Sequence, residues 1–165
     1  MTSTKQFWRP ASTDAGRDEG SLLVNVQNKH LPIAHQRISL PIYQYRSHIL
    51  YALELYSTII LVSETGTGKS TQIPQYLYEE GWSGNGKCIV CTQPRRIAAI
   101  TIANRVAQEK NCEVGGEVGY SIRFDNKCSD RTAIKYCTDG VLLRETLSDP
   151  LLSKYNVIMV DEVIL

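Results

Sequence analysis

The chain has 165 residues, 42% hydrophobic and 21% charged, with a formal net charge of only +1. That length suits one domain with a real core, not two. The near-neutral charge excludes a global positive field, so any nucleic-acid partner would be met by local clusters.

No run of about 18 apolar residues exists, so nothing is expected to span a membrane. The opening residues lack the basic-then-apolar layout of a secretory signal, which makes a cytosolic or nuclear location the expectation. The five cysteines are an odd number without a secreted-domain pattern and favour a reducing compartment. Cys88-Ile89-Val90-Cys91 is a C-x-x-C, but it lies in a β-like run. Positions three apart on a strand face opposite ways. These cysteines therefore read as buried structural residues and not as a metal clip.

Residues 1–35 are polar and without sustained periodicity, and read as a flexible leader. Phe7-Trp8-Arg9-Pro10 interrupts it, either as a packing segment or as a docking peptide. From about residue 36 order is expected. Ser39 to Leu55 carries apolar residues at helical spacing. Thr58-Ile59-Ile60-Leu61-Val62 then reads as a strand buried on both faces, the mark of a parallel sheet. A glycine-bearing loop follows, then a helix over residues 70–80 that Gly81 ends. Pro74 is tolerable there because it lies in the first turns. Further strands are predicted at Lys87 to Thr92, Val118 to Phe124, Thr132 to Thr138 and Val157 to Val160. Further helices are predicted at Arg96 to Lys110 and Gly140 to Leu147, and Asp125 to Asp130 reads as a polar turn. The alternation argues a doubly wound α/β sheet with flanking helices.

The loop Ser63-Glu64-Thr65-Gly66-Thr67-Gly68-Lys69-Ser70-Thr71 has the composition of a phosphate cradle. Its glycines let backbone amides approach phosphate oxygens, where a Cβ would block them. The following helix presents unpaired N–H groups and the positive end of its dipole. Lys69 supplies a cation for the β- and γ-phosphates, and Ser70 a hydroxyl for Mg²⁺. Ser63 stands where the strict pattern has glycine; if that position needs a positive φ, its Cβ costs on the order of 1 kcal/mol. Hydrolysis also needs an acidic strand end. Asp161, after Val157 to Val160, suits the metal role, and Glu162 suits polarising the attacking water. The alternative is an exposed acidic chain end.

Taken in order, these motifs resemble the first RecA-like domain of DEAH-box RNA helicases, a P-loop NTPase fold. Ser63 to Thr71 matches motif I, Thr92-Gln93-Pro94-Arg95-Arg96 motif Ia, and Thr138-Asp139-Gly140 motif Ib. Gly119 to Phe124 matches a further family segment, and Asp161-Glu162 begins motif II. Phe7-Trp8-Arg9-Pro10 is similar to the start of a spliceosome-associated subgroup.

The resemblance implies ATP or another NTP with Mg²⁺, bound by Glu64, Thr65, Gly66, Thr67, Gly68, Lys69, Ser70 and Thr71. It implies contacts from Arg95, Arg96 and Thr138 to single-stranded RNA backbone. It also implies that Arg105 stacks on the nucleotide base, the alternative being an exposed helix charge. Spliceosomal proteins are the implied protein partners, and a nuclear location is favoured over a cytoplasmic one.

The family's motif II continues Ala-His, whereas here Val163-Ile164-Leu165 follows. The expectation is therefore a first RecA-like domain over residues 36–165, cut after motif II, with little hydrolysis or unwinding of its own. The alternative is a nucleotide- or RNA-holding module that modulates a full-length partner. In RecA-like sheets the strand after motif II lies between the motif I and motif II strands. Its loss would leave both with open edges and the isolated chain prone to aggregate.

Overall fold

The structure, a computed structural model, describes residues 31–162. The polar leader up to residue 30, with Phe7 to Pro10, lies outside the described residues. Helix α1 (Ile33–Ile38) spans the expected boundary between leader and domain. A 3₁₀ turn (Pro41–Tyr45) and helix α2 (Arg46–Leu55) follow, so the expected helix over 39–55 forms in two parts. Pro41 opens the turn, as its fixed φ favours at a helical start.

Next come helix α3 (Lys69–Glu79), strand β1 (Cys88–Gln93) and helix α4 (Arg96–Glu109). Strands β2 (Val118–Ile122), β3 (Asp125–Lys127) and β4 (Ile134–Thr138), helix α5 (Asp139–Ser148) and strand β5 (Tyr155–Val160) complete the unit. The sheet order is β3-β2-β4-β1-β5. Strands β2, β4, β1 and β5 run parallel, while β3 is antiparallel to β2. The expected polar turn at 125–130 is thus partly a strand. The expected strand over 118–124 stops at Ile122, because Phe124 turns the chain with φ +70°.

Strand β1 lies between β4 and β5, with Ile89 facing Ile134 of β4 on one side and Val157 of β5 on the other. Ile89, Val90, Cys91 and Thr92 are fully buried, as a two-sided parallel strand requires. On one face, Ala99, Ala103, Val106 and Ala107 of α4 pack on Cys91, Val118, Tyr120, Ile134 and Tyr136. Small alanines let the helix approach the sheet closely. Beside them, Ile73, Tyr76 and Leu77 of α3 close on Ile42, Ile49 and Ile89. On the opposite face, Val141 and Leu142 of α5 pack against Val90, Cys137 and Tyr155.

The thiols of the C-x-x-C follow this alternation. Cys88 belongs to the α5 side and Cys91 to the α4 side. Burial pushes the Cys88 thiol up to about 11 and the Cys91 thiol further still. Both are protonated, unreactive core groups at neutral pH.

One expectation fails. Thr58 to Val62 forms no strand, and Ile60, Leu61 and Val62 are 63%, 37% and 76% exposed. Only Ile59 joins the core, packing with the cluster around Ile73 and Leu77. A β-branched run becomes a strand when neighbouring strands satisfy its backbone and bury its side chains. Among the described residues none does so. Strand β5 is likewise an edge, paired with β1 alone, and its Ile158 and Val160 remain exposed.

Candidate functional site

The C-terminal ends of the parallel strands gather the chemistry, as expected of an open α/β sheet. The phosphate loop enters α3 through Gly66 and Gly68, with φ of +82° and +97°. Both angles suit glycine and strain other residues. Gly68 has a second reason: a Cβ there would lie 2.9 Å from Leu40 Cδ1 and 3.2 Å from Ile42 Cγ2. The Ile42 N–H also donates to Thr67 O at 3.2 Å, so the 3₁₀ turn braces the loop from behind.

Ser63 is not among the residues with positive φ, so the strain considered for it does not arise. Its hydroxyl instead bonds Thr67 Oγ1 at 2.9 Å, and Thr67 Oγ1 donates to Glu64 O at 3.1 Å. The Lys69 ammonium lies over the loop, donating to Ser63 O at 3.0 Å and Glu64 O at 2.8 Å. Thr65 is exposed in the turn at the loop's apex. Thr71 Oγ1 donates to Gly68 O at 3.2 Å. Gly68, as N-cap, offers no side-chain oxygen to the first-turn amides of α3.

Ser70 and Asp161, distant in sequence, meet here: Ser70 Oγ donates to Asp161 Oδ2. Gln93, at the end of β1 and 2% exposed, donates its Nε2 to the same oxygen at 2.7 Å. The two oxygens of Ser70 and Asp161 form a hard donor pair that fits Mg²⁺. Glu162 follows at once, exposed and with φ +54°.

The basic residues lie along the same edge. Arg95 and Arg96 follow β1 and are exposed, and Arg96 Nη2 donates to Arg123 O at 3.3 Å. Thr138 pairs in register with Gln93 and is the N-cap of α5, without a side-chain capping bond. Arg105 sits elsewhere, in the seam between α1 and α4. Its Nε pairs with Glu109 at 2.7 Å, and its Nη2 donates to Gln36 Oε1 at 2.8 Å. Glu109, with a side chain only 2% exposed, also accepts from Gln72 at 2.8 Å and Gln75 at 2.7 Å.

Sequence alone assigned no role of their own to Gln93, named only within motif Ia, or to Tyr136. A polar residue closing a largely apolar strand was the available signal for the first. Tyr136 Oη donates to Ser70 O at 2.8 Å, and only the β4 register reveals that.

A glycine-bearing loop, an acidic strand end touching its serine and a mainly parallel sheet define an α/β protein of RecA-like type. No family model matches the chain. It is 59% identical over 132 residues to the probable ATP-dependent RNA helicase DHX35 homolog of Caenorhabditis elegans, covering 80% of this chain and 18% of that protein. It is 49% identical over 170 residues to the probable ATP-dependent RNA helicase DHX35 of Homo sapiens, covering 95% of this chain and 24% of that one. It is also 49% identical over 162 residues to the pre-mRNA-splicing factor ATP-dependent RNA helicase prp22 of Schizosaccharomyces pombe, covering 98% of this chain and 13% of that protein. The chain belongs to the DEAH-box RNA helicase family. It spans between 13% and 24% of the length of these relatives.

Proposed function

We propose that residues 36–165 form the nucleotide-binding part of a DEAH-box RNA helicase, holding ATP or another NTP with Mg²⁺. One observation carries this reading: Ser70 of the phosphate loop contacts Asp161 across the site. Lys69 and the first-turn amides of α3 would bind the phosphates, with Glu64, Thr65, Gly66, Thr67, Gly68 and Thr71 shaping the loop. Ser70 and Asp161 would hold the metal ion, which when bound spreads the negative charge of the β- and γ-phosphates. Glu162 would orient water. Arg95, Arg96 and Thr138 would take RNA backbone, a contact tolerant of sequence. Arg105 would reach the base only by giving up Gln36 or Glu109. Prp22, a splicing factor by name, supports spliceosomal partners and a nuclear location for this chain.

The test is titration of the chain with a fluorescent ATP analogue and Mg²⁺, beside phosphate release with and without single-stranded RNA. Binding abolished by Lys69→Ala is expected. Turnover stimulated by RNA marks a motor part, whereas binding without turnover fits a module that holds nucleotide or RNA. No saturable binding sinks the nucleotide-site reading.

A further inference from the structure

Helix α3 carries Pro74 within its second turn. Proline lacks an N–H, so the carbonyl four residues earlier loses its helical partner, and the ring pushes that carbonyl outward. The carbonyl belongs to Ser70, the residue whose hydroxyl meets Asp161. A buried carbonyl without a partner is destabilising, so something must replace the missing donor.

The replacement comes from the sheet. Tyr136 on β4 is completely buried, and its hydroxyl donates to Ser70 O at 2.8 Å. A phenol O–H is a natural donor to a backbone carbonyl.

We propose that Tyr136 is a positioning residue for the nucleotide site, its hydroxyl standing in for the absent Pro74 N–H and fixing Ser70 against Asp161. This rests on the nucleotide-site reading above. Ser70 is held at two points, its carbonyl by β4 and its hydroxyl by the end of β5. Without the first, the opening turn of α3 is free to tilt. The Ser70 hydroxyl then leaves the position it shares with the carboxylate. Pro74 and Tyr136 act as a matched pair, one creating the outward acceptor and the other filling it.

The experiment compares the 165-residue chain with Tyr136→Phe, Pro74→Ala and the double variant. Each is titrated with the non-hydrolysable analogue AMP-PNP, once with Mg²⁺ and once with EDTA. Tyr136→Phe is expected to weaken Mg²⁺-AMP-PNP binding about five- to tenfold, the worth of one hydrogen bond. Binding in EDTA stays unchanged. Adding Pro74→Ala restores most of the loss, because a backbone N–H at position 74 reaches Ser70 O within the helix. A general loss of packing would weaken both metal conditions and would not be rescued.

Urea unfolding of the same four proteins gives a readout independent of nucleotide. Tyr136→Phe should destabilise more with proline at position 74 than with alanine there. Equal Mg²⁺-dependent affinity in wild type and Tyr136→Phe, no rescue, or additive unfolding effects would each overturn the inference. If wild type binds AMP-PNP in neither condition, the nucleotide reading itself falls, and the positioning role with it.

Discussion

The side-chain amide of Gln93 donates to Asp161 Oδ2 at 2.7 Å, tying the end of β1 to the end of β5. Gln93 is 2% exposed, so no solvent competes for its amide. The bond fixes which way the carboxylate turns toward Ser70. Gln93→Leu leaves Asp161 short of a charge-assisted bond and should cost about 1–3 kcal/mol of stability. It should also weaken Mg²⁺-dependent nucleotide binding. Gln93→Glu should be worse, because it sets two carboxylates against each other. Urea midpoints and nucleotide titrations check both. Unchanged values in the two assays would mean that Gln93 has no hold on the site.

The two loop glycines are expected to differ in how much a methyl group harms them. At Gly66 an added Cβ meets nothing within 4 Å, so Gly66→Ala should cost only the left-handed backbone penalty, about 1–2 kcal/mol. At Gly68 the same penalty is joined by the clash with Leu40 and Ile42. Gly68→Ala should therefore be clearly more destabilising. Leu40→Ala in that background should recover part of the difference. Denaturation midpoints that rank the two alanine variants equally would remove the bracing role of the 3₁₀ turn.

An acid-side loss of stability is expected from Glu145 on α5. Burial works against its carboxylate, but bonds from Lys135 at 2.7 Å, Tyr155 at 2.5 Å and Lys154 at 3.0 Å outweigh it. Its pKa is therefore held below the ordinary 4.5. A depressed pKa adds stability that is present above the unfolded value and is lost as pH falls through the folded one. Wild type should weaken as pH drops below the ordinary carboxylate value. Glu145→Gln should be less stable at pH 7 and flatter on the acid side. Thermal melts across that window decide it, and parallel curves for the two proteins would contradict the network.

Self-association is expected at the open side of β5. Ile158 and Val160 are exposed on an edge strand, and Ile60 and Val62 lie bare in the segment before the phosphate loop. Such edges invite intermolecular pairing. Sedimentation velocity should show concentration-dependent oligomers, and Val160→Lys should shift the chain toward monomer. A sharp cooperative melt of a wild-type monomer would show the edge to be harmless.

Much of this fold was legible from sequence. The strand at Cys88 to Gln93 and the helices after it follow from apolar runs and periodicity, which encode burial directly. The loop's turn into α3 was legible because its glycines stand where the backbone takes positive φ. Thr58 to Val62 misled because β-branched composition reports suitability for a sheet and not whether partners are present. Ser63 was judged by its departure from a pattern, whereas its actual φ depends on the loop's internal bonds to Thr67. Gln93 and Tyr136 act through partners far away in the chain. A single sequence carries no record of such pairings before the register of the sheet is known.

The first turn of α3 has a consequence for how the molecule assembles. Its Ser70 carbonyl bonds to Tyr136, sixty-six residues downstream, in place of the N–H that Pro74 lacks. The turn keeps its own bond from the Gln72 N–H to Gly68 O at 2.8 Å, but the Ser70 carbonyl finds its tyrosine donor only once β4 has docked. A peptide spanning the loop and helix alone should be largely unstructured at its N-terminal turn. Grafted onto another scaffold, the glycine-lysine-serine segment would carry its letters but not its shape, unless a strand bearing a tyrosine at the matching height came with it.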